Sequence, residues 1–210
     1  MKYYILIIVL LFSTQLNYAG SDYHWVKMNF PDVEVTMIAN FESDLYAVSV
    51  ENELYHFNMY TDNKDTWEVV ETGIEARITC VSPRFLGTDK GLYFIDHYDL
   101  TFDKIDEFEN MNISGVFYRP LVSQFLFIET DMGLFSQTFD GAIKKCTRPD
   151  GKKIGDIVEG SSSRILGLTT SGELFYSRDT CQTWTKAVEN PEGHKFTAIE
   201  EHSYWEPGWF

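Results

Sequence analysis

Short apolar runs separated by polar turns recur along this chain at a regular distance. The clearest run is a four-residue phrase with leucine in third place and an aromatic residue in fourth. It occurs four times, at residues 52–55, 90–93, 132–135 and 172–175. Successive leucines of the phrase stand 38, 42 and 40 residues apart. A β-rich stretch precedes each copy, so the pattern predicts four hairpins repeated at a fixed period.

The turns inside three of these hairpins combine aspartate or serine with glycine, at residues 88–91, 130–133 and 170–173. These residue types tolerate the positive φ that a tight connection between two strands requires. Two further series of extended segments frame the hairpins. Apolar, β-branched segments precede them at residues 35–38, 78–81, 113–116 and 154–157, with a fifth at 196–199. Another extended segment follows each hairpin, at residues 67–70, 102–105, 143–146 and 184–188.

Four short strands every 35 to 43 residues are typical of the blades of a β-propeller. An immunoglobulin-like sandwich also has short strands, but it would not repeat the same four-strand phrase four times. No stretch shows a sustained 3.6-residue apolar period, so we expect no substantial helix. The prediction is an all-β fold, a small β-propeller of four full four-stranded blades forming a single domain over residues 21–210.

The two ends of this domain bear on how the ring closes. Residues 23–28 resemble a fourth strand, with Trp25 standing where Trp67 and Trp184 stand in their repeats. Residues 196–201 resemble a first strand. Pairing them in a composite fifth blade would remove two sheet edges that otherwise invite aggregation. A four-bladed ring with loose ends and a truncated propeller are the alternatives.

Residues 1–20 have the composition of a targeting segment. Lys2 precedes an apolar run over residues 3–12, and polar residues then lead to the small pair Ala19 and Gly20. The run is shorter than the roughly 20 apolar residues that span a bilayer. We expect a cleaved signal peptide over residues 1–20 and no membrane span afterwards, with an uncleaved anchor as the alternative. The protein is then secreted and extracellular, or periplasmic in a bacterium.

The charge balance limits the partners. The 210 residues contain 17 Lys and Arg against 32 Asp and Glu, a formal net charge of −15. Such a chain repels nucleic acid and anionic membrane surfaces and favours a basic protein or peptide surface, with a glycan second. Acidic side chains concentrate in the loops between successive blades, although acidic loops also serve solubility. The candidate ligand-binding residues are Asp32, Glu75, Glu109, Asp150 and Glu192.

Residues 177–184, Ser-Arg-Asp-Thr-Cys-Gln-Thr-Trp, resemble the Asp-box S-x-D-x-G-x-T-W of BNR-repeat propellers. That broad group includes sialidases and sortilin-like receptors. Cys181 takes the glycine position, which departs from the pattern. The resemblance implies a structural turn, away from the ligand-binding face, built by Ser177, Asp179, Thr183 and Trp184. It therefore implies a fold and no particular chemistry.

The three cysteines, Cys80, Cys146 and Cys181, show no C-x-x-C spacing, and at most one internal disulfide can form. If a pair is oxidised, we expect Cys146 with Cys181, because one ends a fourth strand and the other lies in the next blade's third-to-fourth loop. Three unpaired thiols are the alternative. We expect Cys80 to be buried near the axis. Asn112 begins an N-x-S sequon, which a eukaryotic secretory pathway would glycosylate.

The candidate chemistry of the chain favours binding over catalysis. No nucleophile elbow, phosphate loop or dinucleotide motif is present, and we expect no cofactor or metal. The sequence predicts a secreted, non-enzymatic binding or interaction module that uses an acidic loop face. Two alternatives remain, a sialidase-like glycoside hydrolase and a structural extracellular protein. The hydrolase would need three converging arginines, a tyrosine nucleophile with a supporting glutamate, and an aspartate as acid and base.

Overall fold

The structure is a computed structural model that describes residues 30–41, 44–58, 67–82, 84–118, 125–138, 141–160, 164–187 and 194–199. Within these residues, sixteen strands form four sheets, which we number as blades in chain order. Blade 1 contains β1 (Val35–Phe41), β2 (Asp44–Ser49), β3 (Leu54–Asn58) and β4 (Glu68–Val70). Blade 2 contains β5 (Ile78–Ser82), β6 (Phe85–Thr88), β7 (Gly91–Asp96) and β8 (Thr101–Ile105). Blade 3 contains β9 (Ile113–Phe117), β10 (Phe125–Thr130), β11 (Gly133–Thr138) and β12 (Ile143–Lys145). Blade 4 contains β13 (Ile154–Gly160), β14 (Arg164–Thr169), β15 (Leu174–Ser177) and β16 (Thr185–Lys186).

Every blade pairs its strands in chain order, and each neighbouring pair is antiparallel. The helical content of the described residues is two single turns of 3₁₀ helix, Asp106–Phe108 and Pro149–Gly151. No helix in this part of the chain is long and apolar enough to cross a membrane. The prediction of an all-β fold with four four-stranded blades is confirmed.

The first strand of each blade lies innermost. The inner strands β1, β5, β9 and β13 pack side by side in that order. Residues from all four line one cavity of about 210 Å³, with Asn40, Ser82, Phe117 and Asp156 among them. Strands of four sheets that surround one cavity share an axis, which is the arrangement of a propeller.

Apolar side chains fill the three interfaces between successive blades. Between blades 1 and 2, Tyr46 and Val48 of β2 meet Leu86 of β6 and Ile95 of β7, and all four are at most 1% exposed. Equivalent clusters lie between blades 2 and 3 and between blades 3 and 4. Because strand side chains alternate between the two faces of a sheet, blades 2 and 3 each contribute to two of these interfaces.

One hydrogen-bonding pattern repeats at the turn between second and third strands. Thr88 Oγ1 donates to the carbonyl oxygen of Gly91 at 2.8 Å, and Thr130 Oγ1 donates to that of Gly133 at 2.9 Å. Both glycines have positive φ, 149° and 139°, as the turn requires. In the same turn of blade 2, the main-chain N–H of Asp89 donates to the carbonyl oxygen of Arg77, which lies just before β5. These bonds bring each turn against the loop that enters its own blade, and we call this end of the sheets the loop face.

The structure describes only part of the two segments that were predicted to close the ring. Residues 23–28 lie outside the described residues. Residues 194–199 are described and belong to no strand, but Phe196 N–H donates to the Gly172 carbonyl oxygen at 3.1 Å. The inner strand β13 packs less closely on β1 than on β9. Among the described blades, the side between blades 4 and 1 is therefore the loosest.

Candidate functional site

Four of the five acidic residues predicted to bind a ligand are described, and all four are exposed. Asp32, Glu75, Glu109 and Asp150 lie on separate loops that lead into blades 1, 2, 3 and 4. Glu192 lies outside the described residues. The four carboxylates therefore belong to one end of the molecule but to different blades.

Two of these carboxylates have local roles. The Lys104 ammonium donates to Glu109, and this hydrogen bond raises the pKa of Lys104. Asp150 lies within the 3₁₀ turn Pro149–Gly151 with a positive φ of 49°, where aspartate is tolerated. Glu109 is thus partly neutralised, and Asp150 is a turn residue.

Glu75 lines a concavity that contains two further glutamates. A cavity of about 430 Å³ opens on blade 1 between residues 52–54, at its second turn, and residues 69–75, which follow its outer strand. Three of its lining residues are Glu53, Glu71 and Glu75. We call this cavity the acidic groove.

Local hydrogen bonds hold the groove in shape. Asn52 has a positive φ of 70°, and its side chain links the two walls. Its Nδ2 donates to the Ala76 carbonyl oxygen at 3.2 Å, and its Oδ1 accepts from Ile78 N–H at 2.6 Å. Tyr55 Oη donates to Glu53 Oε2 at 2.7 Å, and this bond raises the pKa of Tyr55. The wall around Glu53 is consequently pre-organised.

The groove has no basic side chain among its lining residues. Lys90 lies at its border, where its ammonium donates to the main-chain oxygen of Glu75 at 2.9 Å. The equivalent carboxylate of blade 4, Glu173, is instead paired with Lys152, which lowers the pKa of Glu173. Groups of three or more His, Cys, Asp or Glu that fit a metal ion are absent from the described part of the chain.

The Asp-box-like segment forms a tight turn at the opposite end of blade 4. Asp179 Oδ1 accepts from the main-chain N–H of Gln182 and Thr183, at 3.1 and 2.8 Å. Asp179 Oδ2 accepts from Thr183 Oγ1 at 2.6 Å, and these bonds lower the pKa of Asp179 to about 2. Ser177 Oγ accepts from Cys181 N–H at 3.0 Å. All four bonds lie within the turn.

Cys181 and Trp184 connect this turn to blade 3. Cys181 has a positive φ of 63°, which the glycine of the usual motif would adopt more easily. It forms a disulfide with Cys146, with Cα atoms 5.2 Å apart. Trp184 Nε1 donates to the Thr147 carbonyl oxygen at 2.9 Å. The segment therefore links two blades. The remaining cysteine, Cys80, is partly buried in β5, and burial raises the pKa of its thiol to about 12.

The arginines that a sialidase-like site would need are dispersed. Arg77 precedes β5 on the loop face. Arg84 lies between β5 and β6, and Arg164 is the first residue of β14, both at the other end of the sheets. Arg148 bonds to Glu129, and the Arg178 guanidinium lies 5.3 Å from the centre of the Tyr176 ring. Arg119 lies outside the described residues. The five described arginines thus form no common cluster.

Glu129 is an important residue that the sequence reasoning missed. Its side chain is fully buried in β10, where it accepts hydrogen bonds from Arg148 Nη2 and from Ile154 N–H, the latter at 3.4 Å. Arg148 Nη2 also donates to the Thr130 carbonyl oxygen at 2.6 Å. A glutamate directly after the apolar run of residues 125–128, within the same predicted strand, was the available signal. This ion pair joins blade 3 to the loop that enters blade 4.

The sequon asparagine Asn112 is exposed just before β9. Its N–H donates to Asp131 Oδ1 at 3.2 Å, and its carbonyl oxygen accepts from Asp131 N–H at 3.0 Å. Both bonds use the main chain of Asn112. Glycosylation of its side chain stays a prediction.

No protein-family model and no curated protein sequence matches this chain. Solved structures are similar in fold. The extracellular domain of BT4673 from B. thetaiotaomicron matches with a TM-score of 0.57 and 16% identity, over 78% of this chain and 23% of that one. AFV00434, an ancestral GH74 enzyme, matches with a TM-score of 0.55 and 13% identity, over 82% of this chain and 26% of that one. PorZ, a surface component of the type-IX secretion system of Porphyromonas gingivalis, matches with a TM-score of 0.52 and 14% identity, over 74% and 23%.

These similarities concern the fold, because all three identities are low. The chain spans about a quarter of the length of each of these structures. Two of them are extracellular or surface proteins of bacteria and one is an enzyme, so the fold accommodates different functions. The similarity to these structures therefore assigns a fold to this chain and no function.

Proposed function

We propose that this protein is an exported, non-enzymatic binding module whose acidic groove takes a basic polypeptide surface. The observation on which the proposal rests is the meeting of Glu53, Glu71 and Glu75 around one cavity of about 430 Å³. No described lysine, arginine or histidine side chain pairs with their carboxylates. A ligand cation that enters the groove therefore meets carboxylates that no described basic side chain of the protein neutralises.

The apolar wall of the groove refines the class of ligand. Leu54, Val70 and Ile74 line it beside the glutamates, and Val69 is 52% exposed. Lysine and arginine have aliphatic stems that pack on such surfaces while their charged ends reach acceptors. A segment that alternates basic and aliphatic residues fits both features. The net charge of −15 adds a long-range field that speeds its approach.

Export and family relationship belong to the same proposal. The apolar run of residues 3–12 supports a signal peptide, and the extracellular domain of BT4673 supports the compartment. The hydrogen bonds of Asp179 and Ser177 support a relationship to the BNR-repeat propellers, in which this turn is structural. Ligand binding on the loop face and stability from the Asp179 turn are then separate properties.

The proposal is tested with a fluorescein-labelled hexapeptide of alternating lysine and leucine, and with a glutamate–leucine peptide as its control. We expect fluorescence anisotropy to detect binding of the basic peptide alone. Binding should weaken between about 50 and about 300 mM NaCl, because salt screens exposed charges. The triple variant E53Q/E71Q/E75Q should lose about tenfold in affinity, as expected when three exposed ion pairs contribute about 0.5 kcal/mol each.

The control variant D99N/D103N/E107Q changes the net charge by the same amount on exposed residues outside the groove. It should bind the peptide within about twofold of the unmodified protein. Equal losses in the two triple variants would refute the groove and leave a general charge effect. Failure of the basic peptide to bind at low salt would refute the proposed function.

A further inference from the structure

The outer strands of blades 2, 3 and 4 carry a lysine at one repeated position, opposite the aromatic residue that ends the four-residue phrase. The three cross-strand pairs are Lys104 with Tyr93, Lys145 with Phe135, and Lys186 with Phe175. In blade 1 the aromatic residue is Tyr55, and the residue opposite it is Val69. Blade 1 is therefore the one described blade whose outer strand lacks this lysine.

This lysine lies beside the second residue of the phrase in all three blades. A Cβ atom at Gly133 of blade 3 would lie 2.9 Å from Lys145 Cε, and the corresponding distance in blade 2 is 3.7 Å. In blade 4 the second residue of the phrase is Glu173, whose Oε1 lies 3.9 Å from Lys186 Nζ. The repeat thus brings a lysine stem, and in blade 4 its ammonium group, close to this position.

Blade 4 shows how a glutamate at this position is neutralised. Glu173 Oε2 accepts hydrogen bonds from Lys152 Nζ and from Ser171 Oγ, the latter at 2.9 Å. The bond from Lys152, followed by that from Ser171, lowers the pKa of Glu173. With Lys186 included, two ammonium groups lie around one carboxylate. A glutamate in the second place of the phrase therefore binds ammonium groups of its own blade.

Blade 1 has the glutamate but not the lysine. Glu53 holds the same place in its phrase as Glu173 does in blade 4. The described partner of the Glu53 carboxylate is the hydroxyl of Tyr55, at 2.7 Å. Val69 is 52% exposed and lines the acidic groove together with Glu53. Because valine is short and has no hydrogen-bond donor, the outer strand of blade 1 offers Glu53 no ammonium group at this position.

We propose that the ligand of the acidic groove supplies this ammonium group with one of its own lysines, and that Val69 is the residue that determines this specificity. The inference rests on the proposed function and adds to it the place where one ligand lysine binds. Its ammonium pairs with Glu53, as the lysines of blade 4 pair with their glutamate, and its aliphatic stem lies along Val69. Glu71 and Glu75 then receive the other basic side chains of the ligand.

The variant V69K tests this inference, because it supplies the ammonium group from the protein itself. The probe is the labelled lysine–leucine hexapeptide, followed by fluorescence anisotropy. The comparison variant V69M has an unbranched side chain without charge. V69K should bind the peptide about fivefold more weakly than V69M, because the introduced lysine neutralises Glu53 and repels the lysine of the ligand, each worth roughly a factor of two. T101K adds the same charge at an exposed position of β8, outside the groove, and should bind within about twofold of the unmodified protein.

Carbodiimide cross-linking of V69K without peptide provides a second measurement. Val69 is half-exposed and three blades carry lysine at this position, so V69K should fold. Mass spectrometry of a digest should find Glu53 joined to the introduced lysine. V69M has no amine at this position and serves as the blank. Absence of the link in folded V69K would overturn the inference, because the ammonium group would then lie away from Glu53.

Two binding results would overturn the inference and leave the proposed function in place. One is an equal affinity of V69K and V69M for the peptide. The other is an equal loss of affinity in V69K and T101K, which would show that only the added charge matters. If the unmodified protein binds no lysine–leucine peptide at low salt, the proposed function itself fails, and the inference fails with it.

Discussion

Replacing Glu129 with alanine should destabilise the protein far more than replacing any exposed carboxylate. Glu129 is fully buried, and its partner Arg148 has 21% of its side chain exposed. Removing one member of a buried ion pair costs about 3 to 5 kcal/mol, because the other charge stays behind without a partner. The guanidinium of Arg148 retains some solvent and its bond to Thr130, so we expect about 3 kcal/mol.

Thermal and urea unfolding followed by tryptophan fluorescence measure this loss. For a chain of this size about 3 kcal/mol corresponds to a fall in Tm of about 6 to 12 °C. The control is E109A, because Glu109 also pairs with a basic side chain, Lys104, but at the surface. The two side chains of that pair are 54% and 36% exposed. Its loss should lower the Tm far less than E129A does, because solvent screens an exposed ion pair.

The double variant E129L/R148M separates the ion pair from simple burial. Replacing both charges with apolar side chains leaves no unpaired group, so the double variant should recover most of the stability that E129A loses. Equal stabilities of E129A and E109A would refute the reasoning that the Glu129–Arg148 pair is a buried link between blades 3 and 4.

Three further predictions concern the turn at residues 177–184, the thiols and the sequon. Hydrogen bonds from Thr183 lower the pKa of Asp179 to about 2, against an ordinary 3.8. Ionised Asp179 therefore stabilises the fold above about pH 4, and this contribution is lost as the pH falls through 2. The urea midpoint of the unmodified protein should fall over this pH range, and that of D179N should fall less. Reducing the disulfide, which spans 35 residues, should lower the free energy of unfolding by about 3 to 4 kcal/mol. In the folded, unreduced protein, a thiol reagent should react slowly with one cysteine, Cys80, and two or more rapidly reacting thiols would contradict the disulfide. Protein secreted from eukaryotic cells should lose apparent mass on glycosidase digestion, and N112Q should not; identical mobility before and after digestion would show that the sequon is unused.

The four blades could be predicted from the sequence because each one repeats the same local pattern of residues. Predicted first strands begin at residues 35, 78, 113 and 154, where the inner strands of the structure also begin. The turn signal has a specific cause, since Thr88 and Thr130 each bond to the glycine three residues later. Such contacts lie within a few residues of each other, so a pattern in the sequence records them directly.

The acidic groove and the Glu129–Arg148 ion pair were harder to predict from the sequence, because they depend on contacts between distant residues. Glu75 was predicted as a binding residue from its loop, but its association with Glu53 and Glu71 follows from the way Asn52 bonds to residues 76 and 78. Glu129 lies 19 residues from Arg148, and nothing local relates the two. Glu109 was predicted to bind a ligand. Its bond to Lys104 depends on the 3₁₀ turn Asp106–Phe108 that lies between the two residues, and the sequence pattern did not predict this turn.

Zero-length cross-linking shows whether the basic peptide binds in the acidic groove. A carbodiimide joins a carboxylate to a lysine amine only when the two are in contact, so it records where the lysine–leucine peptide sits. Mass spectrometry of the cross-linked protein should find the peptide on Glu53, Glu71 and Glu75, with yields that fall as NaCl is raised from about 50 to about 300 mM. Cross-links spread evenly over the exposed carboxylates, with Asp99, Asp103 and Glu107 as reactive as the groove, would contradict the account.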